Sequence, residues 1–141
     1  MVVTEGPWLI DKSALYRIPG SPDAELWLGR INRGLVHIST PTSLEVGHSA
    51  LGATDWHNAL SGPPLSLMPL VYATPASERR SIEVQGILAR LGRHRAPSVP
   101  DLLIAALAET QGLVVLHVDK DFELIAEITG QPVERLLFNS N

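Results

Sequence analysis

The sequence predicts a three-layer α/β/α sandwich, in which helices cover both faces of a mainly parallel sheet. Short apolar runs alternate along the chain with segments of helical length and periodicity. Strands separated by such segments favour right-handed crossovers and parallel pairing. No internal repeat, low-complexity segment or long linker divides the chain. We therefore expect a single domain over residues 1–141, which is close to the commonest domain size.

Four apolar stretches are typical of buried strands, because a parallel strand covered on both faces is apolar along its length. In chain order they are residues 8–10, 35–38, 113–116 and 133–138. Asp11 directly follows the first stretch. Asp119 follows the third, with His117 and Val118 between.

Five helices are predicted from their start and stop signals. A residue that can cap the first turn marks each start, and in three cases Pro comes next. These caps are Ser21, Thr40, Thr74, Ser98 and Asp121. Glycines suited to end a helix are Gly34, Gly92, Gly112 and Gly130. The expected apolar faces are Ala24, Trp27, Leu28 and Ile31 on the first helix and Val84, Ile87, Leu88 and Leu91 on the third. Residues 102–108 are apolar nearly all round, so the fourth helix should be central and buried.

The composition excludes several classes of protein. Without Cys, disulfide bridges and thiolate metal sites are impossible, so any metal would be held by carboxylate, carbonyl or imidazole groups. Hydrophobic residues make up 45% of the chain and charged residues 18%, which indicates a packed globular protein. No apolar run approaches the roughly 18 residues that span a bilayer, and the chain lacks the basic start of a secretion signal. We expect a protein of the cytoplasm that does not enter a membrane.

The charge distribution is uneven. A formal charge of −4 argues against a protein that coats nucleic acid through its overall field, but not against an enzyme that holds a few phosphates. Most of the arginines crowd one segment together with His94, and they are Arg79, Arg80, Arg90, Arg93 and Arg95. Taken alone, such a run indicates a solvated helix face.

Four carboxylates are predicted to meet at one edge of the sheet. Asp11 and Asp119 follow strands, Glu45 lies in the second turn of the second helix, and Asp101 lies in the first turn of the central helix. Open α/β sheets bind ligands beyond the carboxyl ends of their strands. A single acid there is explained by capping or by the helix dipole, which is worth roughly 0.3–1 kcal/mol. Four together would repel one another without cations, which favours a magnesium or manganese site. The residues alone do not choose the substrate.

At these residues the sequence resembles the PIN-domain ribonucleases, and in particular the VapC-type toxins of toxin–antitoxin pairs. Residues 10–14 resemble the family's opening Asp-Thr-Ser-Ala, and Glu45 resembles its helical Glu. Residues 100–106 resemble the segment with the third acid, and residues 117–122 resemble the family's Asp-x-Asp-Phe stretch. Four motifs in the right order, over almost the whole chain, make a specific signal.

The resemblance implies a site and a reaction. The implied ligands of Mg²⁺ or Mn²⁺ are Asp11, Glu45, Asp101 and Asp119, with Asp121 as a secondary ligand or orienting group. Ser13 would hold a neighbouring carboxylate through its hydroxyl. A metal-activated water would then hydrolyse an RNA phosphodiester, leaving a 3′-hydroxyl and a 5′-phosphate.

Two residues beside these acids, Lys12 and His117, have more than one possible role. Lys12 stands where the family usually has Thr; it could screen the acids or contact a phosphate, but we expect its side chain to point to solvent. His117 shares a strand face with Asp119, and we expect a hydrogen-bonded structural histidine.

The resemblance also implies an RNA substrate, a homodimer and a VapB-type antitoxin that packs in an apolar groove. Trp27, Leu28 and Ile31 could line that groove and Trp56 could lie in an interface, although all four could equally be core residues. The candidates for contact with the RNA backbone are Arg90, Arg93 and Arg95, which lead into the loop before Asp101.

Other functions stay open. A phosphohydrolase of the haloacid-dehalogenase type needs a second Asp where Ser13 stands, and a receiver domain needs an Asp at a middle strand, which residues 35–38 lack. A catalytically inactive PIN-like scaffold that only binds RNA or protein is the main alternative. The presence of all four acids argues against such a loss of activity.

Overall fold

The computed structural model describes residues 5–138, which contain five strands and seven α-helices. The strands are β1 Trp8–Ile10, β2 Val36–Ser39, β3 Leu70–Val71, β4 Val114–His117 and β5 Val133–Arg135. The helices are α1 Lys12–Leu15, α2 Ala24–Asn32, α3 Thr40–His48, α4 Ala53–Ser61, α5 Pro75–Arg90, α6 Val99–Gln111 and α7 Lys120–Thr129. The prediction of one domain over residues 1–141 extends beyond the described residues and stays a prediction.

All five strands pair in parallel, in the order β3-β2-β1-β4-β5. At the centre of the sheet, Ile10 of β1 is level with Ile38 of β2 and with Leu116 of β4. The chain segments that leave β1, β2 and β4 therefore emerge at the same edge. This arrangement confirms the predicted α/β fold.

Side chains alternate between the two faces of the sheet, and each face has its own core. Trp8 and Ile10 of β1 pack in a cluster with side chains of α1, α2 and α3. Leu9, which points the other way, packs in a cluster with side chains of α5, α6 and α7. Helix α6 is the most buried, as its apolar sequence predicts, because it covers the sheet and also packs against α5 and α7.

Three of the predicted helix caps act close to where the sequence places them. The side chains of Thr74 and Ser98 each accept a backbone N–H in the first turn and form capping boxes with Ser77 and Asp101. Helix α3 is capped by Ser39 instead of Thr40, a difference of one residue.

The predicted start of the first long helix at Ser21 is wrong. Helix α2 begins at Ala24, because the Ser21 hydroxyl accepts the N–H of Asp23 and donates to the carbonyl of Leu137 at 2.6 Å. Ser21 thus joins the segment that precedes α2 to Leu137 near the C-terminus. The helix turns Leu28 partly outward, with 48% of it exposed, although the sequence predicted it on the apolar face.

Three elements were not predicted. Helix α1 has four residues and β3 has two, so neither shows a periodic pattern. Helix α4 is also absent from the prediction, because none of its nine residues, all described by the structure, is buried. Within residues 5–138 no helix has both the length and the apolar character needed to cross a membrane.

Truncation of Leu9 tests how much stability the sheet core contributes. Leu9 is fully buried in the central strand, so Leu9→Ala should lower the free energy of unfolding by roughly 2–5 kcal/mol. Leu51 is 96% exposed, so Leu51→Ala should change it by less than about 0.5 kcal/mol. Urea denaturation followed by circular dichroism measures both, and equal effects would contradict the assignment of the core.

Candidate active site

A cleft of about 510 Å³ opens at the edge of the sheet where β1 and β4 end. All the acids that the sequence singled out line it, namely Asp11, Glu45, Asp101, Asp119 and Asp121. They come from the ends of two strands and from helices α3, α6 and α7. The structure therefore brings together side chains that are up to 110 positions apart in the sequence.

Asp11 is fixed at both its backbone and its side chain. Its N–H donates to the carbonyl of Leu116 at 2.9 Å, and its carboxylate accepts the N–H of Ser13 at 3.0 Å as the cap of α1. The hydroxyl of Ser13 accepts the N–H of Val118 at 2.9 Å. The predicted contact between the Ser13 hydroxyl and a carboxylate is therefore wrong, because the backbone N–H of Ser13 makes the contact with Asp11 instead. The hydroxyl joins α1 to the segment that leads to Asp119.

Asp101 is the third residue of α6 and is held by Ser98. The Asp101 N–H donates to the Ser98 hydroxyl at 3.2 Å, and the Ser98 N–H donates to the Asp101 carboxylate at 3.3 Å. Burial raises the pKa of Asp101 to about 6, since only 7% of the residue is exposed. The negative charges of Asp11 and Asp119 raise this pKa further, while the hydrogen bonds from Ser98 oppose the rise.

Asp119 caps α7, whereas the sequence predicted that Asp121 would. The Asp119 carboxylate accepts the N–H of Asp121 at 2.9 Å, and the Asp119 N–H donates to Nδ1 of His117 at 3.1 Å. Burial raises the pKa of Asp121, and the neighbouring Asp119 adds to the rise. One carboxylate oxygen from each of Asp101, Asp119 and Asp121 lies within 4.8 Å of the other two.

His117 is fully buried and packs against the ring of Phe122, with 5.4 Å between the ring centroids. Burial lowers its pKa, which keeps the imidazole neutral and its Nδ1 free to accept the Asp119 N–H. His117 is therefore hydrogen-bonded through Nδ1 as expected, and its purely structural role stays a prediction.

Glu45 faces the cleft from the second turn of α3. Burial raises its pKa, the charge of Asp11 adds to the rise, and Lys12 opposes it. Lys12 Nζ lies 4.0 Å from a carboxylate oxygen of Glu45. Lys12 therefore lines the cleft, although the sequence favoured a side chain that points to solvent.

The cleft also contains cations and one aromatic ring. Arg95 lines it, whereas Arg90 and Arg93 are not part of its lining among the residues that the structure describes. Tyr16 and Arg17 line it as well, although neither belongs to a predicted site. They follow Lys12 and Ser13 at intervals of four, a helical spacing, but α1 is too short for its pattern to be recognised.

The residues present fit a hard divalent cation. All the acids offer oxygen, the ligand atom that Mg²⁺ and Mn²⁺ prefer. The raised pKa values of Glu45, Asp101 and Asp121 show that each of these carboxylates is destabilised as an anion. A bound cation would offset the free-energy cost of ionising these carboxylates, so the arrangement favours metal binding.

The sheet order and this acid-lined cleft define a PIN-like α/β domain. A family model described as the PIN domain matches residues 8–128. The chain is 58% identical over 134 residues to Ribonuclease VapC2 of Mycobacterium tuberculosis (strain CDC 1551 / Oshkosh), and the match covers 95% of each. It is 39% identical over 127 residues to Ribonuclease VapC51 of Mycobacterium tuberculosis (strain ATCC 25618 / H37Rv), with 90% of each covered. The chain therefore belongs to the PIN-domain family, and within that family to the VapC group.

A solved structure shows the same fold. It is the crystal structure of VapBC2 from Rickettsia felis bound to a DNA fragment from its promoter. The TM-score is 0.73 at 16% sequence identity, and the superposition covers 91% of this chain and 97% of the other. This likeness shows the shared fold, while the family model and the two ribonuclease relatives confirm the resemblance seen in the four sequence motifs.

The raised pKa of Asp101 predicts a pH-dependent stability of the metal-free protein. A carboxyl group with a pKa of about 6 when folded and an ordinary value of 3.8 binds its proton more tightly in the folded state. The free energy of unfolding therefore falls as the pH rises from about 4 to 6. This group accounts for at most about 3 kcal/mol of the fall, and screening by water in the open cleft makes the effect smaller.

The matched variant is Asp101→Asn, which keeps an oxygen for the Ser98 N–H but cannot ionise. Its stability relative to the wild type should increase between pH 4 and 7 in urea denaturation with a chelator present. A stability difference that does not change with pH would contradict the raised pKa.

Proposed function

We propose that the protein is an endoribonuclease that uses Mg²⁺ or Mn²⁺, held by Asp11, Glu45, Asp101 and Asp119, with Asp121 as a further ligand. The observation that carries this proposal is the convergence of these carboxylates in one cleft, with three of them within 4.8 Å. The names of the relatives, Ribonuclease VapC2 and Ribonuclease VapC51, support RNA as the substrate.

The cleft residues have separable roles in this reaction. When bound, a divalent cation would supply an activated water and stabilise charge on the phosphate. The chain supplies preorganisation: N–H groups of Ser13, Ser98 and Asp121 fix Asp11, Asp101 and Asp119 respectively. Carboxylates that are already oriented need no rearrangement when substrate arrives.

The cations of the cleft are proposed to hold the RNA backbone. Arg95, Arg17 and Lys12 line the same cleft as the acids, which places positive charge where a phosphate has to approach. For Arg90 and Arg93 we propose a longer-range contribution, outside the cleft, to attraction of the RNA.

We propose that the protein is a toxin of the cytoplasm and forms a homodimer and a complex with a VapB-type antitoxin. An apolar pocket of about 290 Å³, lined in part by Leu28 and Ile31, supports a groove for the antitoxin. Trp27 and Ile31 are only 2% and 1% exposed and belong to the core, so of the three candidates only Leu28, which is 48% exposed, offers much surface to a partner. Trp56 is 50% exposed, which is compatible with an interface.

Cleavage of RNA by the purified protein tests the enzyme directly. Total RNA should be cut in Mg²⁺ or Mn²⁺, and cleavage should stop with a chelator and fall at least about 100-fold in Asp119→Asn. Glu127→Gln is the matched control, since Glu127 is an exposed acid on the same helix and should leave the rate unchanged. Folded, metal-binding protein that cuts no RNA would favour the inactive scaffold.

Neutralisation of single arginines tests the proposed RNA contacts. Arg95→Gln should weaken RNA binding and reduce the slope of log K against log salt by about 0.7, the value for one single-strand phosphate contact. Arg90→Gln should have a smaller effect, because Arg90 is outside the cleft lining. Filter binding at several salt concentrations measures both slopes. Equal slopes for these two variants would show that position in the cleft does not determine the contact.

A further inference from the structure

Tyr16 is a half-exposed aromatic residue inside an otherwise charged cleft. It follows α1 directly, and 50% of it is exposed. It lines the acid cleft and also an adjoining apolar pocket of about 300 Å³, whose walls include Val46, Ala59 and Pro63. Binding of a cation by carboxylates does not require such a ring, and the ring contributes little to the core. Its position therefore suits contact with a ligand.

The surroundings of Tyr16 indicate what kind of ligand that is. Lys12 Nζ lies 5.9 Å from the centroid of the ring, and Arg17 Nη1 donates to the carbonyl of Ser13 at 2.8 Å, which holds Arg17 beside the same cleft. Arg95 contributes a third positive charge to the lining. An aromatic face between cations matches a nucleotide, because the cations attract phosphates and the ring offers a surface for stacking of a base.

We propose that Tyr16 is a base-stacking residue, which seats an unpaired nucleobase of the RNA against the adjoining apolar pocket while the neighbouring phosphate enters the acid cleft. This inference rests on the proposed function and adds a preference of the site for unpaired over paired RNA. A base within a duplex is already stacked and paired. To reach Tyr16 it would first have to unstack and unpair, which costs roughly a few kcal/mol. The cleft therefore selects loops and single strands over duplex.

Binding of defined RNA probes tests this role. The probes are a labelled mixed-sequence single strand and a duplex of the same length, both measured by fluorescence anisotropy in Mg²⁺. An Asp119→Asn background keeps the bound RNA intact. Tyr16→Ala should weaken binding of the single strand by about 5- to 100-fold, the range expected for one stacked base, and leave binding of the duplex within about twofold. Tyr16→Phe keeps the ring and should bind like the background protein.

A spectroscopic signal separates stacking from a merely structural effect. A single strand that contains 2-aminopurine should lose fluorescence on binding to proteins with Tyr16 or with Phe at that position, and should not do so with Tyr16→Ala. Unchanged binding of the single strand by Tyr16→Ala would overturn the inference and leave the ring as part of a protein-binding surface. An equal loss for single strand and duplex would overturn it too.

The same proteins distinguish failure of this inference from failure of the proposed function. If the protein with Asp119 intact cuts RNA, but Tyr16→Ala binds the single strand normally, only the inference on Tyr16 fails. If single strands bind in a Tyr16-dependent way but are never cut, the inference stands and the proposed hydrolysis fails. If RNA is neither bound nor cut, both fail together.

Discussion

Repulsion among carboxylates at one edge of the sheet is the constraint on which the site depends. Asp11, Asp101 and Asp119 each accept a backbone N–H at the start of a helix, where the partial positive charge of the helix end favours an anion. The capping role of these acids is thus compatible with the proposed metal site. The caps hold the acids close together, and the raised pKa of Asp101 shows that the remaining repulsion and burial are still costly.

The parallel sheet makes this convergence possible. Because β1 and β4 are neighbours and run in the same direction, Asp11 and Asp119 follow their strands at the same edge of the sheet, and the Asp11 N–H donates to the carbonyl of Leu116 in β4. The Ser13 hydroxyl then ties α1 to Val118. The two acids are therefore positioned by backbone pairing and by one side chain, which limits their freedom to move apart.

The cleft has mixed charge although the chain as a whole is acidic. Lys12 lies beside Glu45, and Arg17 and Arg95 line the same space. Positive groups next to the acids would lower the electrostatic barrier that a protein of net charge −4 presents to a polyanion. The local placement of these cations is therefore more informative about the proposed RNA contact than the net charge is.

The sequence by itself determined the class of fold, which four acids line the cleft, and the helix caps at Thr74 and Ser98. These features depend on local patterns of apolar, capping and acidic residues. Only the tertiary structure decided that Asp119 caps α7, that Lys12 faces Glu45, and that Tyr16 and Arg17 enter the cleft. Helix α1 has only four residues, so no periodicity shows which way its side chains point. That direction is set by packing against β4 and α3, segments that the local sequence does not contain.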